Sequence, residues 1–335
     1  MKKLFLSILL ITLATRGLYA QNEINWLPDQ PGKWSYHHKL YGPIEDYKLS
    51  TDEITRFKHK IDTIIETLHQ NPILKNPVGF EPSVNVRIID ENVGFVHAPL
   101  TKLIVGARIA IQFCPYYKDE SGNIKKHCME VSSCEISSNC PKFTAESYIH
   151  FKGDGYHEEL SDAALKLNRI FLKPPVVKEL AEGVTAYSNG KIIIAGTERP
   201  YWIPVTIGEL FGLQLNYYEL DYKLNKDEGI LYVIDAIKKE KAAFSAQELN
   251  FPAYRDNSNI SSITADARGN QYMQFNPDYF DRSLPRTNLQ ILTVHTLTEA
   301  FTDNCEYTDL AQIRHSEFVK QVDFNALKLL LDVKQ

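Results

Sequence analysis

The signatures that usually reveal an enzyme class are missing from this 335-residue sequence. It has no glycine-rich phosphate loop, no dinucleotide-binding fingerprint, no Gly-x-Ser-x-Gly elbow and no His-Glu-x-x-His pair. Internal repeats and low-complexity tracts are missing as well. These absences argue against the motif-bearing nucleotide enzymes, serine hydrolases and zinc peptidases, and the sequence therefore predicts no cofactor.

An excess of positive charge is also missing. The net charge is −5, and it falls to −8 when the first twenty residues, with three basic and no acidic residues, are removed. No run of Lys and Arg is longer than three. Nucleic acids and anionic membranes attract basic surfaces, so the composition predicts neither of them as a partner.

No apolar run reaches the roughly 20 residues that a membrane-spanning helix needs. The apolar run at residues 4–14 follows the basic pair Lys2-Lys3 and precedes Leu18-Tyr19-Ala20. This order is typical of a signal peptide, and we predict cleavage after Ala20 and export to the periplasm or the exterior. A buried N-terminal helix and an uncleaved anchor are the alternatives, but Arg16-Gly17 interrupts the run. No cysteine follows the apolar core, so we do not expect a lipid anchor there.

Cysteine is sparse but clustered. Four of the five cysteines lie close together in the sequence, namely Cys114, Cys128, Cys134 and Cys140, and Cys305 stands apart. In an oxidising compartment the cluster predicts two disulfides that pin a long polar loop, with three possible pairings. The alternative is a metal site formed by His127 and these cysteines, although the short Cys-x2-Cys spacing of zinc modules is absent. The disulfide interpretation assigns no metal, and we expect Cys305 to be a lone thiol.

The first half of the chain predicts a helix and an antiparallel sheet. Ser50 and Glu53 form a capping box at the start of a helix whose apolar residues recur at helical spacing until Asn71-Pro72. Alternating apolar residues at 84–88 indicate a half-buried strand. A longer strand is expected at 103–113, with 143–151 returning as its partner around the cysteine loop.

The second half predicts a hairpin, two helices and a central strand. Ser188-Asn189-Gly190 lies between two apolar runs and is typical of a hairpin turn. Thr206 and Glu209 form a second capping box, which predicts a helix to about Tyr222. Further elements are expected at 227–244 (helix), 272–275 and 289–297 (strands) and 323–331 (helix).

These elements predict an α+β fold in two parts. Residues 1–20 are the signal peptide and 21–49 an extended N-terminal arm. Residues 50–155 form a helix packed on an antiparallel sheet with the disulfide-pinned hairpin. Residues 156–335 form a second unit of mixed helices and strands.

Two segments resemble parts of uncharacterised exported bacterial proteins. They are Arg199–Thr206 with the helix after it, and Asn276–Asp281 with Leu284-Pro285-Arg286. The resemblance covers about a third of the chain after the leader and implies no activity. The helix-on-sheet pattern is also similar to cystatin-like folds, at the level of fold class only.

Two groups of residues are candidates for binding. Tyr201 and Trp202 lie between prolines that could present their rings to a sugar or a peptide, although burial in the core beside the following helix is our preferred interpretation. Asp278, Arg282 and Arg286 belong to a dense charged turn that could hold an anion, although turn formation explains it too.

Histidines provide weaker candidates. His157 with Glu158 and Glu159 could serve a metal or acid–base chemistry, with His157 and Glu159 on one face if this segment is a strand. The adjacent His37 and His38 would point to opposite faces of a strand. His295, in the predicted strand 289–297, is expected to be a buried or cross-strand histidine with its hydrogen bonds satisfied.

Three hypotheses of function follow. The first is a non-catalytic exported protein that binds a glycan or an envelope protein, with the hairpin tip at 121–139 as a natural contact element. The second is an extracytoplasmic hydrolase of unrecognised type that uses carboxylates and His157. The third is a metal-binding protein that uses His127 and the clustered cysteines.

Overall fold

The computed structural model describes residues 24–42, 44–89, 103–140, 151, 156–256, 263–298, 300–301 and 307–332. The predicted leader, Cys305 and all of the predicted return strand except residue 151 lie outside this part of the chain. Among the described helices, none is both long and apolar enough to cross a membrane.

The fold is mixed α+β, as the sequence predicts. The described residues contain seven α-helices: α1 Thr51–His69, α2 Pro72–Lys75, α3 Glu158–Asn168, α4 Ile207–Asn225, α5 Glu228–Ala242, α6 Leu310–Lys320 and α7 Phe324–Lys328. They also contain two β-sheets, which lie between the helices.

The larger sheet has ten strands in the described residues. They are β1 Asn25–Trp26, β2 Ser35–Tyr41, β3 Phe80–Ile89, β4 Gly106–Lys118, β5 Ile124–Lys126, β6 Ser133–Ser138, β8 Val176–Ala181, β9 Val184–Tyr187, β10 Lys191–Ala195 and β15 Ile291–His295. The order along the main path is β2-β3-β4-β6-β15-β10-β9-β8, with β1 and β5 both paired to the end of β4. Strands from both sides of residue 155, the predicted domain boundary, therefore lie in one sheet.

The smaller sheet has five described strands. They are β7 Phe171–Leu172, β11 Trp202–Pro204, β12 Tyr254–Arg255, β13 Ile263–Thr264 and β14 Asn270–Phe275. β14 is its centre, because it pairs with β7, β11 and β12.

The predicted capping signals position the first long helix. Ser50 accepts a hydrogen bond from the backbone N–H of Glu53, and the Glu53 side chain accepts one from the backbone N–H of Ser50. The apolar stripe of α1 buries Phe57, Ile61 and Ile64 against the larger sheet. Gln70 ends the helix, and Asn71 caps the short α2 that begins at Pro72.

The strands β10 and β15 are covered on both faces. In β10, Ile192 and Ile194 face the main core with α1 and α7, whereas Ile193 faces a second cluster with Trp202 and Met273 of the smaller sheet. Because side chains alternate between the faces of a strand, a continuous apolar run fits this position. The larger sheet therefore lies between helices on one side and the smaller sheet on the other.

The far face of the smaller sheet packs on α4 and α5. Tyr272 and Ile263 share a cluster with Phe211 of α4 and Ile237 of α5. Thr206 caps α4 as predicted by accepting from the backbone N–H of Glu209. The Glu209 carboxylate accepts a hydrogen bond from Gln274 of β14 at 2.8 Å, which ties the first turn of α4 to the smaller sheet.

One local prediction was wrong, and a second lies outside the described residues. Residues 158–168 form the helix α3 rather than a strand end, with Leu160, Ala163, Ala164 and Leu167 on its buried face. The predicted return strand at 143–151 is not described apart from residue 151; in the described residues, β4 pairs mainly with β3 and with β6 at 133–138.

Candidate ligand-binding cleft

A cleft of about 250 Å³ opens between the edge of the larger sheet and the smaller sheet. One wall comes from β9 and β10, where Ile193 lies opposite Thr185 in the ladder and both side chains take the same face. The other wall comes from Trp202 of β11 and Met273 of β14. The cleft therefore lies where the β9–β10 side of the larger sheet meets the smaller sheet.

The floor of the cleft is apolar. Ile193, Trp202 and Met273 belong to the cluster that joins the two sheets, and Ala195 packs against that cluster. Phe171 supports Trp202 from behind, with ring centroids 5.0 Å apart. Because these side chains are fixed by packing between two sheets, the floor is largely preformed.

Two cations lie among the lining residues. Lys173 follows β7, and its backbone N–H donates to the carbonyl of Gln271 at 2.8 Å. Arg199 precedes β11 and donates from Nη1 to the backbone carbonyl of Asp278 at 3.1 Å. Both side chains are exposed, and neither forms an ion pair with a described residue. Within the described part of the chain, the lining contains no Asp, Glu, Asn or Gln.

Tyr187 contributes a half-buried phenol at the same wall. Its ring lies 5.1 Å from that of Trp202. Burial, followed by the negative charge of Glu179, raises the pKa of Tyr187. Glu179 is itself engaged, since it accepts a hydrogen bond from Thr185 at 2.8 Å. The phenol therefore stays protonated and can donate to an acceptor in the cleft.

Tyr201 and Trp202, the aromatic candidates from the sequence, are packed into the core and are only 6% and 7% exposed. Tyr201 donates to the backbone carbonyl of Cys140 at 2.9 Å, and its ring contacts Phe275 and Tyr279. Burial raises the pKa of Tyr201 well above its ordinary value. Both residues also line the cleft, so they are part of its floor and not a projecting platform.

The charged turn is only loosely connected to the cleft. The backbone carbonyl of Asp278 accepts a hydrogen bond from Arg199, and the side chain of Arg282 is exposed. Arg286 turns towards α1, where it donates to Glu53 at 3.5 Å and to the carbonyl of Tyr47 at 2.5 Å. Arg286 therefore links the start of α1 to the turn before β15.

The histidine candidates do not converge. His157, Glu158 and Glu159 are exposed at the N-terminus of α3, where carboxylates interact favourably with the helix dipole. His295 is exposed at the end of β15, in register with Lys191 and Glu135 on the neighbouring strands. The backbone of His37 and His38 lies in β2, and their side chains are outside the described part of the chain.

The cysteine cluster forms one described disulfide, between Cys114 and Cys128, whose Cα atoms are 4.7 Å apart. The prediction of two disulfides within the cluster was wrong, because Cys134 and Cys140 are not bonded to each other. Cys134 is a buried thiol whose pKa is raised by burial. Cys114 and Cys128 are bonded to each other and are therefore not free to bind a metal. The His127 ring packs beside Trp26. Within the described residues, no group of three His, Cys, Asp or Glu could hold a metal ion.

One constellation that sequence reasoning missed resembles a catalytic dyad. Ser132 Oγ lies 2.7 Å from Nδ1 of His315, and Thr296 Oγ1 lies 3.0 Å from Nε2. His315 is only 1% exposed and stacks on Phe113. Burial, with a smaller effect of His295, lowers the pKa of His315 to about 3. A neutral, enclosed imidazole between two hydroxyl groups is a poor general base, so the geometry favours a structural role.

No protein-family model matches the chain, and no curated protein or solved structure matches it either. The resemblance of residues 199–206 and 276–286 to exported proteins therefore adds no function, and the cleft must be interpreted from its own chemistry.

Proposed function

We propose that this protein is a non-catalytic binding protein that works outside the cytoplasm, and that the cleft between its two sheets holds the ligand. The observation that carries this proposal is the composition of the cleft. An apolar floor and the donor groups of Lys173, Arg199 and Tyr187 line the same cleft. Concave sites with an apolar lining and a few convergent polar groups are typical of small-molecule binding.

The chemistry of the cleft supports binding over catalysis. A hydrolase needs a nucleophile or an activated water, and a general base within hydrogen-bond reach of it. Among the residues that the structure describes, the lining contains no carboxylate and no histidine, and Ser132 with His315 lies elsewhere. None of the described lining residues is therefore suited to accept a proton from water at neutral pH.

Partial filling of the cleft tests this proposal. Ala195 lies on the cleft wall and is half-buried, so Ala195→Leu should occupy part of the volume without entering the main core. We expect at least one small organic acid, amide or monosaccharide, each tested at millimolar concentration, to raise the Tm of the wild-type protein. A ligand at 100 times its Kd stabilises by about 2.7 kcal/mol, which corresponds to a shift of several degrees. The proposal predicts that Ala195→Leu abolishes the shift.

Leu165→Ala is the control, because Leu165 is an exposed apolar residue on α3 that does not line the cleft. It should leave every ligand-induced shift unchanged. If no compound in the three classes shifts the Tm, or if Ala195→Leu and the wild type respond equally, the cleft is not the binding site.

Export rests on the sequence of the first twenty residues and is compatible with the disulfide between Cys114 and Cys128. We expect the protein expressed with its full sequence in a bacterial host to leave the cytoplasm and to begin at Gln21. Mass spectrometry of the purified N-terminus measures this directly. Recovery of protein that still begins at residue 1 from the cytoplasm would contradict export.

A further inference from the structure

We infer that the ligand of the cleft is a small organic acid, with a carboxylate at the cationic opening and an apolar body on the floor. This inference rests on the proposed binding function and adds the chemical class of the ligand. It follows from three properties of the lining: the sign of its charge, the direction of its hydrogen bonds and the size of its cavity.

The charge of the lining has one sign. Lys173 and Arg199 are the charged residues that line the cleft, and neither is neutralised by a described ion pair. The Glu179 carboxylate on β8 accepts a hydrogen bond from Thr185 and is not among the lining residues. An acidic protein that lines one cleft with two cations, neither in an ion pair with a described residue, creates a local site for an anion.

The hydrogen-bonding groups favour an acceptor. Ammonium and guanidinium groups only donate, and the hydroxyl group of Tyr187 can also donate, whereas that of Thr185 already donates to Glu179. A neutral sugar offers many donors of its own and needs acceptors such as Asp, Glu, Asn and Gln, and none of these is among the described lining residues. A carboxylate only accepts, so it matches the site, and this argues against the glycan ligand that the sequence suggested.

The floor and the volume limit the rest of the ligand. Ile193, Met273 and Trp202 offer no polar side-chain atom except the indole Nε1, which is buried. A volume of about 250 Å³ is below the usual range for drug-sized ligands, roughly 300–1,000 Å³. A compact acid with one aromatic ring or a short aliphatic chain satisfies both limits.

The experiment uses 3-phenylpropionate as the probe and 3-phenylpropionamide as its uncharged analogue. Isothermal titration with the mature protein at low and high salt measures both affinities. We expect the acid to bind at least tenfold more tightly than the amide, as a charge-assisted contact worth 1.5 kcal/mol or more implies. Added salt should weaken binding of the acid only, because it screens the exposed cations.

The variants Lys173→Gln and Arg199→Gln should each weaken binding of the acid about tenfold and leave the amide unaffected. Lys178→Gln is the matched control, since Lys178 is an exposed cation on the neighbouring strand β8 that does not line the cleft. It removes the same charge and should change neither affinity. All three lysine or arginine side chains are exposed, so their loss should leave the Tm close to that of the wild type.

The possible outcomes distinguish failure of this inference from failure of the proposed binding function. If acid and amide bind equally, and Ala195→Leu abolishes both, the cleft is a binding site but the preference for an acid is wrong. If a monosaccharide binds in the cleft and neither probe does, the inference also fails while the binding function stands. If no compound of any class binds, both proposals fail.

Discussion

The buried imidazole of His315 connects three elements of the main core. It lies on α6, bridges Ser132 before β6 and Thr296 after β15, and stacks on Phe113 of β4. Each nitrogen has a hydroxyl partner, so the neutral ring has its hydrogen bonds satisfied without a charge. The arrangement explains why burial lowers its pKa so far.

We predict that His315 makes the protein sensitive to acid. Its pKa is about 3 in the folded state and about 6.5 in the unfolded state, so the unfolded chain binds more protons between these values. The contribution to stability is complete above pH 6.5 and is lost as the pH falls towards 3. Lowering the pH from 6.5 to 5 should cost about 2 kcal/mol through this residue.

Urea unfolding of the wild type and of His315→Gln, at several pH values between 7 and 4, measures this effect. The variant should be less stable at pH 7, because its amide replaces the ring imperfectly, but its stability should fall less steeply with acid. Parallel pH profiles for the two proteins would show that His315 does not titrate between the folded and unfolded states as proposed.

The hydrogen-bond partners of Asn139 could not be predicted from the sequence. It adopts a left-handed conformation with φ 51°, and its side-chain amide donates to the carbonyls of Val105 and Asn288. Its side-chain oxygen accepts from the backbone N–H of Gln290. The sequence shows a polar residue beside a cysteine, which looks like a loop position. Its three partners lie just before β4 and β15, and only long-range packing brings these segments beside it.

At the scale of elements, local signals located the helices that have strong caps. Ser50 with Glu53 and Thr206 with Glu209 each predicted a helix start that the structure confirms, because capping depends on residues only three apart. The turn at Ser188-Asn189-Gly190 was also predicted, and Gly190 has the positive φ of 74° that the hairpin requires. A side chain at Gly190 would collide with the carbonyl of Thr296.

The helices α3 and α6 were missed although signals for both exist in the sequence. Leu160, Ala163, Ala164 and Leu167 follow the spacing of a helical face, but the interpretation of His157-Glu158-Glu159 as a strand end obscured it. For α6, Asp309 accepts from the backbone N–H of Gln312, three residues later. Here a cap signal was present and overlooked.

We predict that Cys114 and Cys128 act as one stabilising unit. Their disulfide closes a loop of 14 residues, and restricting a loop of this length in the unfolded chain is worth about 3 kcal/mol. Cys114→Ser and Cys128→Ser should each lower the free energy of unfolding by about this amount. The double variant should be hardly less stable than either single variant, because the bond is already absent in both.

A double-mutant cycle from urea unfolding measures the coupling. Strictly additive effects would mean that the two cysteines act independently and are not bonded. Peptide mapping of the unreduced protein provides the control, since it should recover a fragment linking the two cysteines and leave Cys134 outside that link.

At the scale of the whole molecule, the sequence predicts the fold class but not the arrangement of the layers. The alternation at 84–88 and the run at 289–297 locate strands, yet nothing local states that β15 pairs with β6 on one side and β10 on the other. Register between distant strands depends on contacts across more than a hundred residues. The continuous apolar run Ile192–Ile194 was the one available sign that this part of the sheet is buried on both faces.

The cleft follows from this arrangement and could not be predicted from the sequence. Its lining comes from β9, β10 and β11, from β14 and from the segment after β7, which are adjacent only because the small sheet covers part of the large one. Tyr201 and Trp202 were identified from their local composition. Lys173 and Arg199, which give the cleft its charge, carry no local motif and were missed.

The most direct test of the cleft uses the three tryptophans as reporters, since Trp202 lines it and Trp26 and Trp34 do not. An ¹H–¹⁵N spectrum shows one indole N–H signal for each ring, and Trp202→Phe assigns the signal of interest. We predict that titration with 3-phenylpropionate moves the Trp202 signal in a saturable manner and leaves the Trp26 and Trp34 signals in place. Saturable movement of the other two signals with Trp202 unchanged would place the ligand elsewhere and contradict the account.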